Sequence, residues 1–405
     1  MNVIFLSPGF PPEMPYFTRG LADVGARVIG MGDQPEGGLP EMTRKNLAAY
    51  VQVGSFADED AVIAEARRIA AKVRVDRIEC LWEPLMILAA RMRETLGLPG
   101  MTVQETIPFR DKEKMKQVLD AAGIRTPKHA NAHTVSQVWE AAEQIGFPLV
   151  VKPIAGAGSA DTYRLNDRSE LEKVMPRLGH VPEVSVEEFV DGQDYTFDTI
   201  CANGRILYYN ISFYRPRALE SRMNEWISQQ TLSRRDVESD EVASGRSMGL
   251  SVLRALNFDT GFTHMEWYRQ ADGEAVFGEI GARSPGARTV DVMNFASDLD
   301  LFRGWAEAVC WGKFSQPIHR KYNSAAIFKR ARGEGHIRGY EGLERLLAEI
   351  GPYVCALELS PIGAAKKDWR RSVIADGFLV VRHPDLPTTM MLADRVGTDL
   401  QLVAG

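Results

Sequence analysis

The sequence contains little cysteine and no excess of positive charge. Its 405 residues include four cysteines, Cys80, Cys201, Cys310 and Cys355, and no two have the spacing of a C-x-x-C metal or redox motif. This argues against a disulfide scaffold and favours a reducing, cytoplasmic setting. Lys and Arg total 48 against 54 Asp and Glu, a net charge of −6, and the signs are mixed along the chain. We therefore expect no nucleic-acid partner.

Long apolar stretches are also missing. No run reaches the roughly 18 apolar residues that a membrane-spanning helix needs, so no membrane association is expected. The chain is 45% hydrophobic, 25% charged and 9% aromatic, which is close to the averages for soluble globular proteins. At roughly 100–200 residues per domain, its length predicts two to four domains.

Residues 1–105 alternate short β-branched runs with amphipathic helical stretches. Such alternation predicts a parallel sheet that is covered on both faces. The predicted strands are Val3–Leu6, Arg27–Ile29 and Ile78–Leu81, and the predicted helices end at Leu21 or span Asp58–Val73 and Pro84–Leu96. The turn after the first strand lacks G-x-G-x-x-G, so a dinucleotide site is not expected there.

A second unit begins after a boundary near Pro108. Asp111 and Thr134 are predicted to start helices that Gly123 and Gly146 end. A strand with one lysine, Phe147–Pro153, and a loop of small residues, Ile154–Ala160, follow. Farther on, paired strands are predicted at Val184–Val190 and Tyr195–Cys201, with a third at Ile206–Ile211 after the Asn203-Gly204 turn. Residues 212–246 are predicted to be polar and irregular.

The last third of the chain, from about Phe314, is predicted to be mixed in structure. One helix is predicted at Tyr340–Ile350, and three strands are predicted at Ala325–Phe328, Val354–Leu359 and Phe378–Arg382.

Two glutamates are predicted to face each other across a hairpin. Asp272-Gly273, between two alternating runs, predicts a two-residue turn, so that cross-strand partners have numbers summing to 545. This register places Glu266 opposite Glu279, with β-carbons about 4.5–5.5 Å apart, and Tyr268 opposite Phe277. Like charges there require a shared proton or a cation, and Mg²⁺ suits two carboxylates. The alternative is an exposed hairpin with solvated glutamates.

Two other segments have residues suited to a nucleotide. Lys152 precedes a loop whose backbone N–H groups can surround a phosphate, although the loop lacks the Gly-Lys-Ser/Thr of a Walker motif. The segment Glu187–Asp194 combines an apolar stretch with carboxylates that can hydrogen-bond an adenine and a ribose. Each signal is weak when taken alone.

In this order, these elements resemble the ATP-grasp superfamily of ligases. The resemblance covers about Phe109–Gly286: the Asp111-Lys112 entry, the lysine strand and its loop, the hinge at Glu187–Val190, and the two glutamates of His-Met-Glu and Glu-Ile-Gly-Ala-Arg. It implies an α/β (α+β ATP-grasp) fold with three domains. These are an N-terminal parallel α/β domain (1–107), a central two-part ATP-grasp domain (108–313) and a C-terminal α+β domain (314–405).

The resemblance also implies roles for individual residues. The phosphates of ATP would be held by Lys112, Lys152, Gly156, Gly158 and Ser159, adenine by Glu187 and Val190, ribose by Asp194, and one or two Mg²⁺ ions by Glu266 and Glu279. Two positions depart from the family pattern: Asp194 stands where many relatives have Glu, and Gly281 where many have Asn.

Within the superfamily, the Glu279-x-x-x-Arg283 pattern most resembles the L-amino-acid (dipeptide) ligases. There, Arg283 and Arg288 would stabilise an acyl phosphate that an amine captures. The resemblance implies small-molecule carboxylate and amine substrates, an amino acid among them, and a homodimer. Alternatives are a bicarbonate-activating carboxylase of the biotin-carboxylase type and a non-catalytic ATP-binding regulatory protein. We expect Trp82-Glu83 to lie beside the substrate or to be purely structural, and His264 to lie near the site or to pack in a strand pair.

Overall fold

The structure is a computed structural model, and it describes residues 1–154, 162–180 and 182–405. No described helix has both the length and the apolar content that crossing a membrane requires.

The first part of the chain forms a parallel sheet with the order β3-β2-β1-β4, which confirms the predicted N-terminal fold. The side chains of residues 3–6 are all fully buried, so both faces of this sheet are covered. Its elements are β1 (Asn2–Leu6), α1 (Met14–Asp23), β2 (Arg27–Gly32), α2 (Glu41–Asn46), β3 (Ala49–Gln52), α3 (Glu59–Lys72), β4 (Arg77–Glu79) and α4 (Met86–Leu96).

A second, antiparallel sheet of four strands, in the order β5-β8-β6-β7, forms what we call the small lobe. Both helix starts predicted in this region are confirmed, since Asp111 and Thr134 each accept hydrogen bonds from backbone N–H groups of the first turn. The elements of this part of the chain are α5 (Val103–Thr106), α6 (Lys112–Ala121), β5 (His129–Ala132), α7 (Val135–Ile145), β6 (Leu149–Pro153), β7 (Tyr163–Leu165), α8 (Arg168–Val174) and β8 (Val184–Glu188).

The largest sheet has eight antiparallel strands in the order β13-β12-β9-β10-β11-β14-β17-β16. Its elements are β9 (Gln193–Ala202), β10 (Arg205–Arg215), α9 (Ala218–Met223), β11 (Gln230–Ser233), α10 (Ala243–Ala255), β12 (Gly261–Arg269), β13 (Ala275–Gly281), α11 (Thr289–Ser297), α12 (Leu301–Trp311), β14 (Asn323–Lys329), α13 (Leu343–Ile350), β16 (Val354–Leu359), β17 (Gly377–His383) and α14 (Leu386–Asp399). Two further strands, β15 (Ile337–Glu341) and β18 (Gln401–Ala404), pair with each other.

The predicted pairing of residues 184–190 with 195–201 is wrong. β8 pairs with β5 and β6 in the small lobe, whereas β9 pairs with β10 and β12 in the large sheet. The chain crosses between the sheets at residues 189–192, where a Cβ on Gly192 would lie 2.6 Å from the carbonyl oxygen of Arg269. This short connection resembles a hairpin in sequence but joins two different sheets.

The segment 212–246 is more regular than predicted. β10 continues to Arg215, and α9, β11 and the start of α10 follow. All four residues of β11 are buried because the strand lies between β10 and β14, so its polar residues are interior ones. The polar residues of this segment led to a wrong prediction of irregular structure, because a central strand of a large sheet can bury hydroxyl groups that are hydrogen-bonded.

The three strands predicted in the last third are confirmed. The helix predicted at Tyr340–Ile350 is also present, but it begins three residues later than predicted, at Leu343, because Tyr340 belongs to β15. α14 and β18 were not predicted. β14, β16 and β17 continue the large sheet, since β14 pairs directly with β11. The division into domains at 107/108 and 313/314 stays a prediction.

Candidate active site

A cleft lies between the small lobe and the large sheet. Its empty volume is about 1040 Å³, including the part that is open to solvent. The predicted site residues that line it are Lys112, Lys152, Glu187, Val190, Asp194, Glu266 and Glu279. Gly156, Gly158 and Ser159 lie outside the described residues, and Arg283 and Arg288 are not in the lining. Residues separated by as many as 167 positions are therefore brought to one cavity.

The hairpin of β12 and β13 places Glu266 directly opposite Glu279, as predicted. The turn itself differs from the prediction. The Gln270 N–H donates to the carbonyl oxygen of Glu274, so that the three residues 271–273 form the loop. The last of them, Gly273, has a φ of +91°, in the left-handed region. Next to this loop, the residue numbers of cross-strand partners sum to 544 instead of 545.

A bulge then restores the predicted register. Between Glu266 and Trp267 the pairing shifts by one residue, and Gly278 is the extra residue on β13. A Cβ on Gly278 would lie 2.9 Å from the carbonyl oxygen of Glu266, so a glycine allows the strands to approach here. The predicted pair of Tyr268 with Phe277 is wrong, since Trp267 faces Phe277 and Tyr268 faces Val276.

Each of the two facing glutamates has one carboxylate oxygen engaged by a neighbour. Glu279 Oε1 lies 2.8 Å from Lys112 Nζ, and Glu266 Oε1 accepts a hydrogen bond of 3.2 Å from the hydroxyl of Tyr214. Among the described residues, no hydrogen bond uses the second oxygen of either carboxylate. The pair therefore offers oxygens on adjacent strands to a cation in the cleft.

His264 stands beside this pair and is held by a buried aspartate. His264 Nδ1 lies 2.6 Å from Asp198 Oδ1, and His264 Nε2 lies 3.7 Å from Glu266 Oε1. Burial lowers the pKa of His264, but the charge and hydrogen bond of Asp198 outweigh it and raise that pKa to about 9. Burial raises the pKa of Glu266, yet His264 and Tyr214 hold it below its usual value. Both alternatives for His264 hold, since it packs between β9 and β13 and also lies beside Glu266.

In the small lobe, one buried carboxylate is shared by two lysines. Lys152 Nζ lies 2.8 Å from Glu187 Oε2, and Lys116 contacts Glu187 Oε1. Burial lowers the pKa of Lys152, but the charges of Glu187, Glu279 and Glu266 raise it overall. Burial also opposes ionisation of Glu187, and the two lysines nevertheless hold its pKa far below the usual range. Lys152 is thus a stable cation at the cleft wall.

The connection between the two sheets also lines the cleft. Val190 is buried there, and among the described residues its N–H donates to no protein acceptor. Asp194 accepts a hydrogen bond of 2.8 Å from Arg217 Nε and one of 3.0 Å from the Ala218 N–H. Arg217 also stands over the Phe189 ring. An adenine fits the free Val190 N–H, whereas a ribose would have to share Asp194 with Arg217.

Arg283 is held at the junction with the N-terminal region. Its Nε donates a hydrogen bond of 2.8 Å to Glu83 Oε2, and Arg110 contacts the other oxygen of Glu83. Burial raises the pKa of Glu83, but Arg283 and Arg110 together lower it. Glu83 is therefore an ion-pair partner of Arg283, which is close enough to Glu266 and Glu279 to feel their charges.

Arg288 lies outside the cleft lining, where α1, α11 and β16 meet. Its Nη2 lies 2.7 Å from Glu358 Oε2, and its backbone N–H donates to Glu13 Oε1 at 3.3 Å. Burial raises the pKa of the adjacent Asp291 to about 6, although Arg288 opposes this shift. The structure does not bring Arg288 into the cleft lining, and its role in charge stabilisation stays a prediction.

Several residues at the site were not identified from the sequence: Lys116, Asp198, Tyr214 and Arg110. Lys116 alone carried a usable signal, since it lies four residues after Lys112 and so on the same face of a helix. Asp198 and Tyr214 become neighbours of Glu266 only when β9 pairs with both β12 and β10 in the large sheet.

The site fits a metal that relies on few protein ligands. Within the part of the chain that the structure describes, no three His, Cys, Asp or Glu side chains are grouped closely enough to hold a metal ion. Mg²⁺ commonly takes one or two carboxylates and completes its shell with phosphate oxygens and water, so the Glu266–Glu279 pair suits it.

Comparison with known families gives two matches along the chain. Residues 23–100 match an ATP-grasp N-terminal domain, and residues 109–232 match an ATP-grasp domain. The chain is 26% identical over 218 residues to the L-arginine-specific L-amino acid ligase of Bacillus subtilis, which covers 52% of this chain and 52% of that protein. The chain thus spans about half the length of the curated relatives it matches.

Among the solved structures that share the fold over the whole chain are the following two. The L-amino acid ligase from Bacillus licheniformis superposes with a TM-score of 0.81 at 20% identity, covering 100% of this chain and 98% of that one. N5-carboxyaminoimidazole ribonucleotide synthetase from Thermotoga maritima superposes with a TM-score of 0.70 at 16% identity, covering 100% and 99%. At these identities the likeness concerns the fold, and it confirms the predicted fold class.

Proposed function

Because the chain belongs to the ATP-grasp superfamily, we propose that it is an ATP- and Mg²⁺-dependent carboxylate–amine ligase of the L-amino acid ligase type. The observation that carries this proposal is the arrangement of charges around one cleft. Glu266 and Glu279 face each other on the large sheet, and Lys112 and Lys152 approach from α6 and the small lobe.

The reaction would proceed in two displacements on small substrates. A carboxylate oxygen of the first substrate attacks the γ-phosphorus of ATP, the bond to the β-phosphate oxygen breaks, and ADP leaves. The amine of the second substrate then attacks the acyl carbon, phosphate leaves, and the amine loses a proton. Positioning and charge stabilisation provide the catalysis, because little covalent chemistry is required of side chains.

Six of the predicted site residues have a place in this scheme. Lys112 and Lys152 hold phosphate oxygens, and the Val190 N–H holds the adenine. Glu266 and Glu279 hold Mg²⁺, which when bound neutralises the phosphate charge. Arg283 stabilises negative charge on the acyl phosphate. In this scheme Glu83 holds Arg283 in place, so we propose no direct contact between Glu83 and substrate.

L-amino acids are the substrates we favour, for two reasons. The curated relative from Bacillus subtilis is named as an L-amino acid ligase, and the solved structure with the higher TM-score is also named as one. A bicarbonate-activating carboxylase is the second candidate, since the biotin carboxylase from Campylobacter jejuni also shares the fold and the same ATP site would serve such a reaction. A homodimer remains an expectation from the resemblance.

Phosphate release measured against a panel of substrates tests the proposal. The panel contains single amino acids, pairs of amino acids, amines and bicarbonate, each with ATP and Mg²⁺. We expect release that requires two amino acids, together with a product of their combined mass less one water. Release with bicarbonate alone would favour the carboxylase. ATP binding without release on any substrate would favour a regulatory protein.

A further inference from the structure

Lys116 is a cation that lies behind the cleft wall, inside the protein. It is 1% exposed, and it lies one helical turn after Lys112 on α6. Its Nζ contacts the Glu187 carboxylate and lies 3.3 Å from Ser185 Oγ, so its partners belong to β8. Lys116 does not line the cleft, and a nucleotide there would not touch it.

Glu187 is therefore a single carboxylate between two lysines. One oxygen faces Lys116, which is sealed inside the lobe, and the other lies 2.8 Å from Lys152, which lines the cleft. The three groups carry a net charge of +1 when all are ionised. An anion entering the cleft can attract Lys152 but cannot reach Lys116.

The surroundings keep Lys116 in place. Lys112 and Lys116 are on the same face of α6, and they reach carboxylates in two different sheets, Glu279 and Glu187. α6 is also tied to the small lobe through His129, whose ring nitrogens lie 3.1 Å from Glu113 and 2.9 Å from Asp120. Lys116 is thus fixed on a helix that connects both walls of the cleft.

We propose that Lys116 is a positioning residue that keeps Glu187 neutralised, so that Lys152 is able to exchange Glu187 for a phosphate of the nucleotide. This rests on the proposed function, in which Lys152 binds phosphate. Without Lys116, the exchange would leave a buried carboxylate with no cation, and an unpaired buried charge is strongly unfavourable. Lys152 would then stay with Glu187. Lys116 acts through Lys152, so it affects phosphate binding and leaves adenosine binding intact.

Nucleotide titrations of Lys116→Met test this assignment. Dissociation constants are measured by calorimetry for ATP and for AMP with Mg²⁺. We expect the ATP value to rise about tenfold and the AMP value to change less than twofold, because AMP lacks the terminal phosphates. Lys114→Met is the matched control, since Lys114 is exposed on the same helix, and it should change neither value. If the role of Lys116 were purely structural, the substitution would weaken the binding of ATP and of AMP equally, and that result would overturn the proposal.

A double variant provides a second test that does not depend on the stability of Lys116→Met. In Glu187→Gln, no carboxylate retains Lys152, so adding Lys116→Met should not change the ratio of ATP to AMP affinity. A further drop in that ratio in the double variant would contradict the proposal. Failure of the wild-type protein to bind ATP would refute the proposed function instead. Normal ATP binding with an unchanged ratio in Lys116→Met would refute only the role of Lys116.

Discussion

Two lysines, one partly buried at the cleft and one fully buried in the last third of the chain, have opposite environments. Lys152 faces the Glu187 carboxylate, and its pKa is raised by Glu187, Glu279 and Glu266 in spite of burial. Lys329, on β14, donates to Ser228 Oγ at 3.0 Å and to the carbonyl oxygens of Val396 and Gly397 at 3.2 and 2.8 Å. Burial lowers the pKa of Lys329 to about 8.

The difference distinguishes a proposed phosphate-binding residue, Lys152, from a structural one, Lys329. The full charge on Glu187 keeps Lys152 ionised, and a phosphate can replace that charge. Lys329 instead lies at the C-terminal end of α14, where backbone carbonyls carry only partial negative charge. It connects α14 to β14 and has no anion to exchange. Three substitutions test this contrast, from the largest expected effect to the smallest.

Glu279→Gln changes the cleft without affecting the scaffold. The side chain is 34% exposed, so its neutral analogue should leave the melting temperature within a few degrees of the wild type. The loss of one of the two charges proposed to bind the metal should reduce kcat by at least about a hundredfold, the scale seen when a group that stabilises transition-state charge is removed. Phosphate release in the ligase assay measures this. Full activity would refute the metal assignment. Glu274→Gln, on the same hairpin, is the matched control.

Lys152→Met removes the exchangeable cation. We expect the KM for ATP to rise roughly 10- to 100-fold, in line with a lost hydrogen bond to a charged group, while Glu187 stays paired with Lys116 and the fold persists. Steady-state kinetics and AMP titration measure the effect. Lys173→Met is the control, because Lys173 is exposed on α8 of the same lobe. Equal weakening of ATP and AMP binding would indicate a structural role for Lys152.

Lys329→Met should alter stability and its pH dependence, and leave ATP binding unchanged. With a pKa of about 8 in the folded state and 10.5 in the unfolded state, Lys329 binds fewer protons when folded between these values. Wild-type stability should therefore gain from this group as the pH rises through that window.

Urea unfolding at pH 7.5 and 9.5 measures this gain. Between these values, the difference in unfolding free energy between wild type and Lys329→Met should shift by about 2 kcal/mol in favour of the wild type. Using the difference cancels other groups that titrate in the range. Lys313→Met, at an exposed position, should show no such shift. A difference that does not change with pH would mean that Lys329 is not held near a pKa of 8.

The pair of glutamates shows how far the sequence could lead. Its register was predicted from a two-residue turn, and the structure has a three-residue loop together with a bulge at Gly278. The two deviations cancel at Glu266 and Glu279 and do not cancel at Tyr268. The prediction of the pair is confirmed, although the turn on which it relied is wrong.

The sequence alone determined those features that depend on local chemistry. Helix starts at Asp111 and Thr134 follow from side chains that bond to the first turn, and the parallel N-terminal sheet follows from its alternation of strands and helices. The lysine strand and the glutamate hairpin could likewise be recognised, because each lies within one short segment.

Only the tertiary structure decided which of these segments share a site and how their charges are paired. Lys116, Glu187 and Lys152 come from a helix and two strands, and His264 gains its partner Asp198 when β9 pairs with β12. Arg283 gains Glu83 from the N-terminal region, 200 positions away. Electrostatic pairing depends on distance in space and on burial, so local sequence patterns do not specify it.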